Sequence, residues 1–191
     1  TNLDVEPWYY KVVVTKLTKS DNASNIIEEV GGDVYLKNVS KRFGVGTDSP
    51  SAKLDVNGTI GIEDSPSIDH SASGLISTMQ VDVNGYGVGA CLHMDSDGNW
   101  ILANANSTTT MPCAALAIES GTGSRQVLMQ GFMRDDSWSW VVGGILYVNS
   151  TNGALTQSAP AGSGDQVQTV GIATNVDRIF FNPNYVLVEV A

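Results

Sequence analysis

The sequence predicts an all-β chain, and three observations carry that expectation. Charged residues make up only 16% of the 191 residues, and Gly alone accounts for 20 of them. Helix surfaces normally carry Glu, Lys and Arg, whereas Gly with small uncharged polar residues suits short strands and tight turns. Apolar and polar residues alternate over short runs bounded by turn signals, the pattern of half-buried strands. In the last third a strand–turn cadence recurs roughly every eight to twelve residues, which favours an antiparallel sandwich or barrel.

From the N-terminus, "WYYKVVVTKL" is aromatic and β-branched and reads as a strand, and "DNASN" reads as a loop. Short strands follow in "NIIEEVGGDVYLKNVSKRFGVG", broken at Gly31-Gly32; "NIIEEV" is too brief for a helix that stands alone. "TDSPS" is a turn around Pro50. In "AKLDV", Ala52, Leu54 and Val56 share one face, with Lys53 and Asp55 on the other. Asn57-Gly58 is a hairpin signal, after which "TIGI" resumes the alternation. Strands this short bury too little to persist alone in water. Their simplest partner is another copy of the chain.

"EDSPSIDHSASG" reads as a linker, and "LISTMQVDVNGYGVGACLHMDSDGNWILANA" as successive strands with turns at Asn84-Gly85 and Asp97-Gly98. "CAALAI" suits either a short helix or a buried strand. The remaining strands are "GGILYV", "ALTQS", "DQVQTVGIAT", "RIFFN" and "YVLVEV". The expected organisation is therefore residues 1–63 as N-terminal strands and stalk, 64–75 as linker, and 76–191 as head. Within the head, 76–115 and 116–191 are candidate subregions.

Net charge is −10, and residues 64–191 hold only Arg125, Arg134 and Arg178 as basic residues against eleven acidic ones. Such a surface repels phosphate backbones and anionic lipid, so neither nucleic-acid binding nor membrane insertion is expected. Cys91 and Cys113 lie in apolar surroundings and read as buried thiols rather than a disulfide framework. His70 falls in the Ser-rich linker and His93 on a strand, neither with a second His at ligand spacing. "DSDGNW" opens like an EF-hand loop but has Trp100 where Gly is required and Asn106 where Glu is required. "GYGVG" lacks the helix of a dinucleotide loop, so its glycines serve turns or close packing. No catalytic set, cofactor or metal is expected.

One stretch stands out as a recognition site. In "RDDSWSW", Trp138 and Trp140 fall on one face if the segment is a strand, with Asp135 and Asp136 beside them. Aromatic faces with adjacent carboxylates hold sugars by ring stacking and hydrogen bonds to hydroxyls. The alternative is that both tryptophans fill the core or a seam between subunits.

"GVGTDSPSAKLDVNGTI" resembles the GIGT-x-x-P-x-x-K-L-D-V-x-G element of bacteriophage tail fibres and related trimeric fibres. Gly44, Gly46, Thr47, Pro50, Lys53, Leu54, Asp55, Val56 and Gly58 carry the likeness. The C-terminal third resembles a small β domain of phage fibre ends and some head-decoration proteins. The matching positions are Gly144, Tyr147, Val148, Gly153, Leu155, Thr156, Pro160, Gln168, Val170, Gly171, Ala173, Ile179, Phe181 and Pro183. The resemblance implies a virion protein and a thin intertwined trimeric stalk, with Val45, Leu54, Val56, Ile60 and Ile62 on the seam, below a β head. It implies a homotrimer that contacts other virion proteins and attaches to a host-surface glycan or protein without being an enzyme. A capsid-attached fibre or decoration protein is the alternative within the virion. A fibre-borne polysaccharide depolymerase is the enzymatic one.

Overall fold

A computed structural model of the chain describes residues 27–30, 33–36, 43–45, 49, 51–82 and 86–191. The expected strand at 8–17, the loop at 21–25, the Gly31-Gly32 break and the Asn84-Gly85 turn lie outside the described residues. The chain divides into two units, Thr1–Ile60 and Gly61–Ala191. It is all-β: among the described residues every regular element is a strand apart from one 3₁₀ turn, Thr108–Thr110. No helix among them is long and apolar enough to cross a membrane.

In the first unit β1 (Ile27–Val30) pairs antiparallel with β2 (Asp33–Leu36), Ile27 opposite Leu36. Next, β3 (Phe43–Val45) pairs with β4 (Leu54–Val56) in parallel, Val45 opposite Val56. This corrects the expected Asn57-Gly58 hairpin, because Thr59–Ile62 form no strand. The Asn57 N–H donates to the Val45 carbonyl at 2.8 Å, so the chain extends the parallel ladder instead of reversing. The Asp55 carboxylate braces the preceding turn by accepting from the Ser51 N–H at 2.7 Å and hydroxyl at 2.9 Å. Those two bonds hold its pKa below the ordinary value.

The second unit is built on a nine-stranded sheet. Its strands are β5 (Ala72–Val81), β6 (Cys91–Met94), β7 (Trp100–Leu102), β8 (Ala115–Ala117), β9 (Gly123–Arg134), β10 (Ile145–Val148), β11 (Leu155–Thr156), β13 (Thr169–Asn175) and β14 (Arg178–Phe181). The order is β11-β10-β13-β14-β9-β5-β7-β6-β8. β12 (Gln166–Val167) and β15 (Val188–Glu189) pair separately. β8 also pairs with β9, so β9-β5-β7-β6-β8 closes into a ring of hydrogen-bonded strands. The sheet is mixed where it was expected to be wholly antiparallel. The β6–β7 hairpin carries the chain out and back, so β7 returns alongside β5 in parallel, with Val81 opposite Trp100.

Side-chain alternation explains two cores. One face of the ring strands points Val81, Leu92, Trp100, Ala115, Ala117 and Val127 into a shared interior. The other face of the same strands sends Cys91, Leu116 and Leu128 into a second core with Leu146, Val148, Val170, Ile179 and Phe181 from β10, β13 and β14. β8, and β9 at Val127–Met129, are thus apolar on both faces, which is why "VLM" and "ALA" read as unbroken apolar runs rather than alternating ones. Both cysteines are free and buried, as their surroundings suggested. The Asp97-Gly98 turn forms as expected between β6 and β7, with Asp95 Oδ1 accepting from the Asp97 and Asn99 N–H groups.

β9 belongs to both parts. From Gly123 to Met133 it pairs with β5, with one bulge, while its other edge meets β8 at Val127–Leu128 and β14 from Gly131 onward. Gly74 of β5 and Gly131 of β9 lie opposite each other at φ +142° and +146°. A Cβ on Gly131 would stand 2.1 Å from the Ser73 carbonyl oxygen, and one on Gly74 2.2 Å from that of Gln130. Only a glycine pair permits this close approach.

Residues 64–75 are not a free linker. Ala72 already begins β5, and the stretch before it docks on the head. Arg134 Nη1 donates to the Ser67 carbonyl at 3.2 Å, the Arg134 N–H to the Ser71 carbonyl at 2.9 Å, and Arg178 to the Ser65 hydroxyl. Arg134 and Arg178 sit opposite each other on β9 and β14, with Asp177 between them at 3.3 Å from each. Arg134 and Arg178 are therefore engaged within the chain. The polar Ser-rich composition that reads as a linker supplies the acceptors that hold it down.

Candidate functional site

The "RDDSWSW" segment does not continue as a strand. β9 ends at Arg134 because Asp135 turns the chain: its Oδ1 accepts from the Ser137 N–H at 2.8 Å and hydroxyl at 2.5 Å, and its carbonyl accepts from the Trp138 N–H at 3.1 Å. Asp followed by Ser two residues on is a turn chemistry that overrides β-propensity. The tryptophans still come together. Their ring centroids are 5.7 Å apart with planes inclined by 53°, and both are half-buried against the second core.

Trp138, Trp140 and Asp135 line one cleft of about 400 Å³. Its other walls are the 86–90 loop, Leu102 and the 152–155 loop. Gly89 makes room for the indole of Trp138, since a Cβ there would lie 2.8 Å from Cζ2 and φ is +81°. The close-packing reading of the "GYGVG" glycines holds at that position. Asn152 borders the cleft, its Oδ1 accepting from Asn104 Nδ2 at 2.5 Å. Backbone bonds fix the walls to the ring: the Gly89 N–H donates to the Ala117 carbonyl, and the Cys91 N–H to the Gly153 carbonyl, each at 2.8 Å.

Asp136, the fourth candidate, is not in the cleft. It is exposed, receives Arg134 Nε at 2.6 Å and donates its N–H to Asp69 Oδ1 at 2.8 Å. The bond to Asp136 raises the Arg134 pKa, and the bond from the Asp136 N–H lowers that of Asp69. The 152–155 loop was missed as a wall, and nothing in "TNGAL" beyond a turn signal distinguishes it. Tyr86 and Trp100, equally ambiguous aromatics, are buried; the Tyr86 hydroxyl donates to the Gly121 carbonyl at 2.6 Å.

No protein-family model matches this chain, and no curated protein is similar to it. What the cleft can do follows from its own side chains. Two indoles, one carboxylate half-occupied by Ser137 and one exposed amide offer flat apolar contact with a few polar anchors. Its volume fits a small ligand.

Cys91 and His93 stand two apart on β6 and do not form a nucleophile pair. The hydrogen bond with Cys113, together with burial, pushes the Cys91 thiol well above its ordinary value. Burial pushes the His93 imidazole down. An activated pair needs the reverse, thiolate beside imidazolium.

Proposed function

We propose that the chain is a distal part of a homotrimeric phage tail fibre that attaches to a host-surface glycan. The observation that carries this reading is an inverted burial pattern in the fibre-like element. Leu54 is 58% exposed and Val45 45%, while the charged neighbour Asp55 is half-buried and hydrogen-bonded. Ile60 and Ile62 are also exposed. A monomer has no reason to leave a parallel pair of three-residue strands with Val45 and Leu54 in water, because such a pair is not self-sustaining. Identical neighbours around a threefold axis cover them. Val45, Leu54, Val56, Ile60 and Ile62 are the seam of that stalk.

Adhesion rather than turnover is the mechanism the head supports best. Glycoside cleavage generally needs two carboxylates flanking one bond. The cleft supplies Asp135, whose Oδ1 is committed to Ser137, while Asp136 turns outward. Stacking on Trp138 and Trp140 with hydrogen bonds to Asp135 and Asn152 suits a neutral sugar, and the acidic head disfavours anionic polymers. Three weak sites on one shaft multiply avidity without tight single contacts.

The test joins mass and binding. Sedimentation of the full chain at micromolar concentration is expected to give three times 20.2 kDa. A glycan array is expected to return neutral saccharides that stay intact after incubation. Ala154→Trp, which adds an indole to the wall of the cleft, is expected to abolish binding at unchanged mass. A monomer refutes the fibre reading; binding unaffected by Ala154→Trp refutes the cleft; a shortened saccharide refutes adhesion without turnover.

A further inference from the structure

We propose that the outer face of the β10-β13-β14-β9 half of the sheet is a contact surface between heads, covered by the same face of the other copies of the chain. The inference rests on the homotrimer reading and adds to it a second interface, separate from the stalk seam.

Strand register lays an apolar row on the side of this sheet turned away from the core. Leu146, Ile179, Phe181 and Met133 point inward. Their neighbours on the other side run straight across four strands: Ile145 lies opposite Ile172, Ile172 opposite Phe180, and Phe180 opposite Phe132. The two rings stand 4.8 Å apart. Val141, Val142 and Val176 adjoin one end of the row. The Trp140 N–H donates to the Val176 carbonyl at 2.9 Å and the Gly143 N–H to the Ala173 carbonyl at 2.8 Å, which holds their segments side by side. These three valines and the two isoleucines are each between 40% and 73% exposed.

Area and charge together name the occupant. At about 100 Å² for a fully exposed aliphatic side chain, the five leave about 300 Å² of apolar surface in water before the rings are counted. A contiguous patch of that size marks an interaction site. It falls well short of the roughly 800 Å² per partner that a free-standing complex uses. An occupant already held nearby needs no such area, because a tether supplies an effective concentration on the order of millimolar. The other chains of a shared stalk are tethered in that way. Charge agrees. Residues 64–191 carry three basic and eleven acidic residues, so two copies repel unless they meet where charge is absent or balanced. β9, β10, β13 and β14 contain no acidic residue. Arg134 and Arg178, which border the row on one side, are balanced by Asp136 and Asp177. Gln130 and Asn182 border it on the other, joined by an amide hydrogen bond of 3.0 Å. An apolar centre inside a neutral polar rim suits an identical face and gives a charged polymer no anchor.

The experiment uses the full chain carrying Ile172→Cys, treated with a short bismaleimide cross-linker. Met94→Cys, a similarly exposed site on β6 outside the face, is the control. Cys91 and Cys113 are fully buried and stay unmodified. Sedimentation first fixes the mass of each protein. In trimers, Ile172→Cys is expected to give several-fold more covalent multimer on a denaturing gel than Met94→Cys. Ile145→Lys with Ile172→Lys sets like charges on the face and is expected to raise the concentration at which trimers dissociate by about tenfold or more. A wild-type monomer removes the trimer reading and this inference with it. Trimers in which Ile172→Cys cross-links no more than Met94→Cys, or in which the lysine pair leaves dissociation unchanged, overturn the head contact alone and leave the trimer reading standing.

Discussion

Replacing Gln168 by Met probes what burial does to a hydrogen bond. Gln168 is fully buried in "QVQTVG", a run that otherwise reads as a strand with one polar face. Its side-chain amide mimics a neighbouring strand. Oε1 accepts from the Cys113 N–H at 2.8 Å, and Nε2 donates to the Cys113 carbonyl at 2.8 Å and the Asn184 carbonyl at 2.7 Å. Met fills a similar volume but abandons all three partners. Asn184 is exposed and its carbonyl can turn to water; the Cys113 pair is buried and cannot. Two orphaned buried groups at about 1–3 kcal/mol each give a cost of about 2–5 kcal/mol, allowing for the better burial of Met. That is a large part of a typical folding free energy of about 5–15 kcal/mol. Gln157 supplies the control. Its amide makes the same two-way pairing with the Val141 backbone, 2.9 Å and 2.8 Å, in an exposed setting. Water replaces those bonds, so Gln157→Met is expected to cost under about 1 kcal/mol. Equilibrium urea unfolding followed by tryptophan fluorescence, at one fixed protein concentration, measures both. Equal costs for the two substitutions would refute the reasoning, whatever their size.

Gly131→Ala places a Cβ 2.1 Å from the Ser73 carbonyl oxygen at φ +146°; a loss of at least about 3 kcal/mol in the same urea assay is expected, and a loss below about 1 kcal/mol would contradict the glycine crossing. His93 is buried with its pKa pushed below the ordinary 6.5 by loss of hydration. The unfolded chain therefore takes up a proton on this residue at a higher pH than the folded one, so stability is expected to fall as pH drops below about 6.5 and to stop falling on this account once the folded pKa is passed. Urea midpoints between pH 7.5 and 5 should show that slope in wild type and a shallower one in His93→Gln. Leu54→Asp with Ile60→Asp leaves the head untouched and is expected to reduce the sedimenting mass from three times 20.2 kDa to one; an unchanged mass removes the stalk seam.

Much of the head was legible because its strands obey alternation between turns. "ILYV" and "RIFF" became β10 and β14, and the Asp97-Gly98 turn joined β6 to β7. The departures share a cause: a side chain or backbone group from elsewhere claimed the bond that the local signal had reserved. Asn57-Gly58 promises a reversal, but the Val45 carbonyl captures the Asn57 N–H and keeps the ladder parallel. "WSW" has strand propensity, but the Asp135 carboxylate bonds Ser137 and ends β9 first. Serines at 65, 67 and 71 signal a linker until two arginines find them. Gln168 shows no sign of burial locally, because its partners, Cys113 and Asn184, are set by tertiary pairing. The meeting of His70 with Asp135, 3.6 Å apart, is equally invisible, because the two residues lie far apart in the chain and are brought together only by the tertiary fold.

The position of the cleft follows from the division of β9. A strand confined to the ring would end beside β8, and its trailing loop would fall over the ring's rim. Because Gly74 and Gly131 let β9 and β5 pass so closely, β9 continues past the ring and picks up β14 on the edge that β8 has vacated. The chain then turns at Asp135 over the outside of the ring, where the 86–90 and 152–155 loops are already bonded to β8 and β6. Trp138 comes to rest on Gly89 for that reason. A bulky residue at Gly89 must therefore act differently from one at Gly131. Gly89→Val displaces the Trp138 indole from the edge of the second core and strains a backbone at φ +81°, so the cleft should close with a moderate loss of stability while the fully buried core residues keep their packing. Gly131→Ala should take fold and cleft together, because the path of β9 that carries the site is itself the distorted element.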